Sequence, residues 1–135
     1  MILDTELSAD PDAFFWEQES TLLVKENLID EAMALFNRRI ASDSGVISSS
    51  LYTIDHFLNL FTDKSSLTKI KSVITSLSAH KADVADKAGL MYSNLLFYVR
   101  MKDKKMARSL AHDAINFYKT NKIDDSKLKL LIAGI

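Results

Sequence analysis

The chain has 135 residues, of which 47% are hydrophobic and 26% charged, with a net charge of −1; this balance excludes a disordered polymer and predicts a single folded domain, residues 1–135. It contains no cysteine, which excludes disulfide bridges and thiolate metal sites and favours a cytoplasmic location. One proline and three glycines are too few for the many turns of a β-sandwich or barrel, so the composition favours helices.

The charge is divided unevenly along the chain. Residues 1–45 hold three basic and ten acidic residues, a net charge of −7, whereas residues 46–135 hold fourteen basic and eight acidic residues, a net charge of +6. Such a division can orient a partner or set the order of subunits, although two differently solvated surfaces would show the same pattern. No apolar run approaches the roughly 20 residues of a membrane span, and we expect no membrane partner.

The first predicted helical hairpin covers residues 11–43. Asp10 and Pro11 are typical of a helix start, because aspartate accepts hydrogen bonds from free amides and proline suits the first helical position. Phe14, Phe15 and Trp16 then follow in a row and cannot all face one side of a helix. They are candidates for contact with a partner, and packing in the core is the alternative.

Two further hairpins are predicted over residues 48–80 and 83–119. Each has a polar turn between its two helices, near residues 62–65 and 102–104 respectively. The clearest helical face carries apolar residues at the i, i+3, i+4, i+7 spacing: Leu67, Ile70, Val73, Ile74 and Leu77. The hairpins start near residues 11, 48 and 84. A period of roughly 36 residues with two helices per unit is typical of helical-repeat proteins.

Aromatic, apolar and small residues recur at related places in the first and third hairpins. They are Trp16, Leu23, Ala32 and Phe36 in the first, and Tyr92, Leu95, Ala107 and Ala114 in the third, where Asn94 before Leu95 and the turn at Lys102 and Asp103 belong to the same pattern. In these residues the chain partly resembles the tetratricopeptide-repeat (TPR) family. The resemblance implies about three antiparallel hairpins in a short right-handed solenoid whose concave face receives a peptide or a helix. Short side chains also let helices approach closely in any antiparallel bundle, so a six- or seven-helix bundle is the alternative.

The tail, residues 124–135, is predicted to form a further helix. Leu128, Leu131, Ile132 and Ile135 recur at i, i+3, i+4, i+7, which predicts one buried face. A stack of hairpins needs cover for its last apolar face, so a capping helix is expected. The alternative is a helix that packs on a second copy of the chain and makes a homo-oligomer.

Catalysis and metal binding are not indicated. His56 and His112 each adjoin an aspartate, but adjacent residues on a helix point about 100° apart and cannot share a metal ion easily. The chain has no phosphate-binding glycine loop and neither an HExxH nor a GxSxG motif. We therefore expect a protein that is not an enzyme and has no catalytic residue, metal or cofactor.

The strongest local charge is a basic run at the last hairpin turn. It comprises Arg100, Lys102, Lys104, Lys105 and Arg108, with only Asp103 opposing it. Such a run can bind an acidic protein segment, and a solvated turn is the simpler interpretation. The overall charge is not basic and no recognition helix is evident, which argues against nucleic acid.

These features together predict a non-catalytic protein–protein interaction module, either an adapter or a chaperone-like protein, that binds a peptide or helix of a partner. A structural homo-oligomerisation unit that uses the apolar tail is the alternative.

Overall fold

The computed structural model describes residues 30–31, 33–34, 47–79 and 82–135. In these ranges all the regular structure is helical, which confirms the predicted all-α fold of helical hairpins. The helices are α1 (Ile47–Leu60), α2 (Lys64–Ser78), α3 (Val84–Arg100), α4 (Lys104–Thr120) and α5 (Ser126–Ala133). None of the described helices is long and apolar enough to cross a lipid bilayer.

Two helical hairpins are formed by α1 with α2 and by α3 with α4. Residues 61–63 and 101–103 join the helices of each pair, and such short connections make neighbouring helices antiparallel. The helix ends differ from the predicted ranges 48–80 and 83–119 by one or two residues. The tail helix is shorter than the predicted range 124–135, because Asp124 and Asp125 belong to the connection that precedes it.

Aspartates begin three of the helices. Asp63, Asp83 and Asp103 directly precede α2, α3 and α4. Each side chain accepts a hydrogen bond from the backbone N–H three residues later, at 2.9, 2.8 and 3.1 Å respectively. These bonds satisfy amides that have no acceptor within their own helix, so the three aspartates fix where the helices start.

Replacing Asp83 with alanine should lower the free energy of unfolding by about 1 kcal/mol, because the first turn of α3 loses its acceptor. Serine supplies another acceptor at this position, so Asp83→Ser should stay within a few tenths of a kcal/mol of the original protein. Urea denaturation measures both values. An equal loss in the two variants would show that the capping bond does not stabilise α3.

The helices α3 and α4 both end in a Schellman motif that has lysine where glycine is usual. At the end of α3, the N–H of Lys102 donates to the carbonyl of Val99 and the N–H of Asp103 to that of Tyr98, both at 3.1 Å. Lys102 has a φ of 61°, and Lys122 has a φ of 55° at the matching position after α4. The left-handed lysine turns the chain sharply from α3 into α4.

The central helix of the described part is α3, which contacts α1, α2 and α4. One apolar cluster lies between α1, α2 and α3 and includes the buried Met33. Lys69 of α2 also pairs with Asp30 at 2.7 Å. The described helical residues 30–31 and 33–34 therefore lie beside this cluster. The fully buried members of this cluster include Ile54, Phe57, Leu58, Leu67, Ile70, Val73, Ile74 and Leu77.

A second apolar cluster lies between α3, α4 and α5. Small side chains make this packing close: Ala107, Ala111 and Ala114 of α4 are buried, which lets α4 approach α3. Glycine has the same effect between α3 and α1, because a Cβ atom at Gly89 would lie 2.8 Å from Cδ1 of Leu51. The small residues therefore let α1 and α4 pack closely on α3.

Candidate functional site

The structure brings the basic turn and the end of the chain together. Lys102 and Lys104 line a cavity of about 260 Å³ with Gly134 and Ile135. Ile135 also lines a second, more open cavity of about 400 Å³, which Arg108 borders. We term these two adjoining cavities the α4–α5 groove.

The walls of the α4–α5 groove are largely apolar. The remaining lining residues are Tyr98, Val99, Asp103 and Ala107 in the first cavity, and Ala111, His112, Ile115 and Ile132 in the second. The carboxylate of Asp103 already accepts the N–H of Met106 as the cap of α4. Lys102, Lys104 and Arg108 are exposed. The groove thus combines largely apolar walls with exposed cationic side chains.

Two residues of the predicted basic run take no part in this groove. Arg100 is partly buried, and its Nε donates to the carbonyl oxygen of Leu58 at 2.8 Å. Its guanidinium therefore ties the end of α3 to α1. Lys105 is exposed on α4 and lines neither cavity of the groove.

The apolar stripe of the tail packs on the chain's own helices. Leu128 is 1% exposed within the second cluster, and Leu131, Ile132 and Ile135 are partly buried against it. Leu130, which lies off the stripe, is 78% exposed. The apolar stripe of α5 is therefore covered by the chain's own helices.

Phe14, Phe15 and Trp16 lie outside the described residues. His56 and His112 are exposed, and a nitrogen of the His112 ring lies 3.3 Å from the side-chain amide of Asn116. Within the described ranges, no three His, Cys, Asp or Glu side chains are grouped so that they could hold a metal ion.

A polar cluster that was not predicted from the sequence lies between α1, α3 and α5. Asp55 of α1 accepts a hydrogen bond from Oγ of Ser93 at 2.6 Å, and Ser93 is fully buried in α3. Nζ of Lys127, from α5, lies 3.8 Å from Oδ2 of Asp55 and 4.4 Å from the centre of the Tyr92 ring. We term these four residues the Asp55 cluster.

Burial dominates the electrostatics of the Asp55 cluster. It raises the pKa of Asp55 from 3.8 to about 6, although the hydrogen bond from Ser93 and the charge of Lys127 both act to lower that pKa. Burial also raises the pKa of Tyr92, and the Asp55 carboxylate adds to this effect. A carboxylate with a strongly shifted pKa is a candidate functional group. Asp55 does not line the α4–α5 groove.

One sequence signal could have revealed Asp55. It lies four residues after Leu51 and three before Leu58, on the apolar face of α1. A charged residue at such a position must either leave the core or find polar partners. Its partners come from two other helices, and their approach depends on the tertiary packing.

The sequence matches no known protein family, and comparisons with curated proteins and with solved structures found no match.

Proposed function

We propose that the protein is a non-catalytic protein–protein interaction module that binds an acidic, amphipathic peptide or helix of a partner. The observation that carries this proposal is the α4–α5 groove, where apolar walls lie beside the exposed cationic groups of Lys102, Lys104 and Arg108. A segment with apolar side chains between carboxylates complements both features. An adapter or chaperone-like role in the cytoplasm is part of this proposal.

The packing of the helices supports a repeat-like scaffold for this module. The helix α3 contacts both helices of the hairpin before it as well as its own partner α4. Units of a helical solenoid pack on their neighbours in this way, and α5 then covers the last unit. A short TPR-like solenoid with a capping helix is the architecture that we propose, and a helical bundle is its alternative.

A structural homo-oligomerisation unit is favoured less by the geometry. The apolar stripe that it would use is covered by the chain's own α3 and α4, and Leu130 is the large apolar side chain of α5 that remains exposed. We expect a monomer in sedimentation at micromolar concentration. A stable dimer would contradict the proposal in its present form.

Reversing the charge of the groove should weaken partner binding strongly. We expect the double variant K102E/K104E to recover at least about tenfold less of a specific partner from a lysate of the source organism, because its carboxylates repel the acidic segment. The matched control is K119E/K122E, which changes the net charge equally at exposed lysines on the opposite end of α4. Each double variant replaces one lysine whose backbone is left-handed, Lys102 or Lys122, so the two variants are matched in this respect as well.

Quantitative mass spectrometry of the captured proteins separates the outcomes. A partner that is lost with K102E/K104E and retained with K119E/K122E supports the groove as the docking surface. A partner retained by both variants, or lost equally by both, contradicts it.

A further inference from the structure

The Asp55 cluster places a carboxylate and an aromatic face around one ammonium group. Nζ of Lys127 is 3.8 Å from the carboxylate of Asp55 and 4.4 Å from the ring centre of Tyr92. Both groups attract a cation, the first by its charge and the second by the negative face of its ring. The ion pair is longer than a charge-assisted hydrogen bond, and the Lys127 side chain is 71% exposed. Lys127 is therefore held loosely.

We propose that Asp55 and Tyr92 form a recognition site for a primary ammonium group, the side chain of a lysine on a partner protein. Lys127 fills this site in the free protein and competes with the incoming lysine. The site is formed by α1, α3 and the first turn of α5, and none of its residues lines the α4–α5 groove. It goes beyond the docking surface proposed above.

The surroundings of the carboxylate are arranged for this role. Ser93 holds Oδ1, which leaves Oδ2 directed towards Lys127. Burial keeps the pKa of Asp55 raised even with Lys127 nearby, so its negative charge is incompletely balanced and a better placed cation would be stabilised. The ionisable groups that act with Asp55 are Tyr92 of α3, Tyr118 of α4 and Lys127 of α5.

The competition by Lys127 should lower the affinity for an external ammonium by a small but measurable factor. An ion pair whose lysine is exposed lowers the affinity of the carboxylate for an external ammonium by roughly two- to sixfold, because the internal lysine is only modestly favoured over solvent. Removing Lys127 should therefore tighten the binding of the external group by that factor.

The probe is n-butylammonium, which carries the ammonium of lysine without its backbone, titrated at pH 7.5 and followed by NMR at the Tyr92 ring and the Ser93 amide. We expect Lys127→Ala to bind it roughly two- to sixfold more tightly than the original protein. Lys129→Ala is the matched control, because Lys129 of α5 pairs with Asp125 of the preceding connection at 3.5 Å, and it should bind like the original protein. Binding to Lys127→Ala should weaken from pH 7.5 to pH 5, because Asp55 becomes neutral.

The double variant D55N/K127A should show no saturable shift, and Y92L/K127A should bind more weakly than Lys127→Ala alone. Equal affinities for Lys127→Ala and Lys129→Ala, or saturable binding to D55N/K127A, would overturn the proposal. Thermal melting of each variant establishes that it is folded. A failure here leaves the α4–α5 groove unaffected, since that surface is tested separately at Lys102 and Lys104.

Discussion

Replacing Leu128 with alanine should lower the free energy of unfolding by about 3 kcal/mol and the melting temperature by roughly 10 °C. Leu128 is 1% exposed and lies in the cluster between α3, α4 and α5. Its truncation removes apolar contacts and leaves a cavity that the surrounding helices can fill only in part. This effect is the largest that we expect from a single substitution in the tail.

The matched control is Leu130→Ala in the same helix. Leu130 is 78% exposed, so this variant should stay within about 0.5 kcal/mol of the original protein. Deleting residues 127–135 should have a larger effect than Leu128→Ala, since it also removes the cover that Leu131, Ile132 and Ile135 provide. Thermal melting followed by circular dichroism compares all three. If the truncated chain melts where the full chain does, α5 is not a cap.

Replacing Asp55 with asparagine should stabilise the protein by about 2 kcal/mol at pH 7.5. The pKa of Asp55 is raised from 3.8 to about 6 by burial, so the charged form costs stability in the folded state. Asparagine removes that charge and still offers an oxygen to the hydroxyl of Ser93. A neutral substitution is expected to stabilise the protein wherever an ionised carboxylate lowers the stability of the folded state.

The pH dependence gives a second test of the same carboxylate. Between about pH 4 and pH 6 the folded protein binds a proton at Asp55 that the unfolded chain does not, so this residue makes the protein more stable as the pH falls through 6. The contribution should be absent in Asp55→Asn and present in Asp113→Asn, a variant at an exposed position of α4. Urea unfolding at pH 5 and 7.5 measures it. Equal pH dependence in both variants would contradict a buried, ionised Asp55.

Helical periodicity and polar turns were enough to predict most of the described fold. The apolar face of α2 could be read from the sequence because its apolar residues recur every three or four positions, as on one side of a helix. In addition, an aspartate that caps the next helix lies at three of the connections between helices. The helix ends were less predictable. Lys102 and Lys122 follow the ends of α3 and α4 in the left-handed conformation. A glycine at either position would have indicated the helix end in the sequence, and lysine does not.

The candidate sites depend on contacts that are remote in the sequence. The basic run could be read from the sequence, but the hydrogen bond from Arg100 to the carbonyl of Leu58, 42 residues away, could not. Ile135 joins Lys102 and Lys104 only because α5 folds back onto α4. The Asp55 cluster likewise requires α1, α3 and α5 to meet, and local sequence patterns do not encode such a meeting.

The proposed function requires that a partner segment lies in the α4–α5 groove. Amide hydrogen exchange of the protein, measured with and without a captured partner, tests this requirement, because residues 102–108 and 130–135 lie at helix ends, which open locally more readily than buried helices do. We predict slower exchange in residues 102–108 and 130–135 of the complex, with α2 unchanged. Protection confined to α1 and α2, or unaltered exchange in residues 102–108 and 130–135, would contradict the claim.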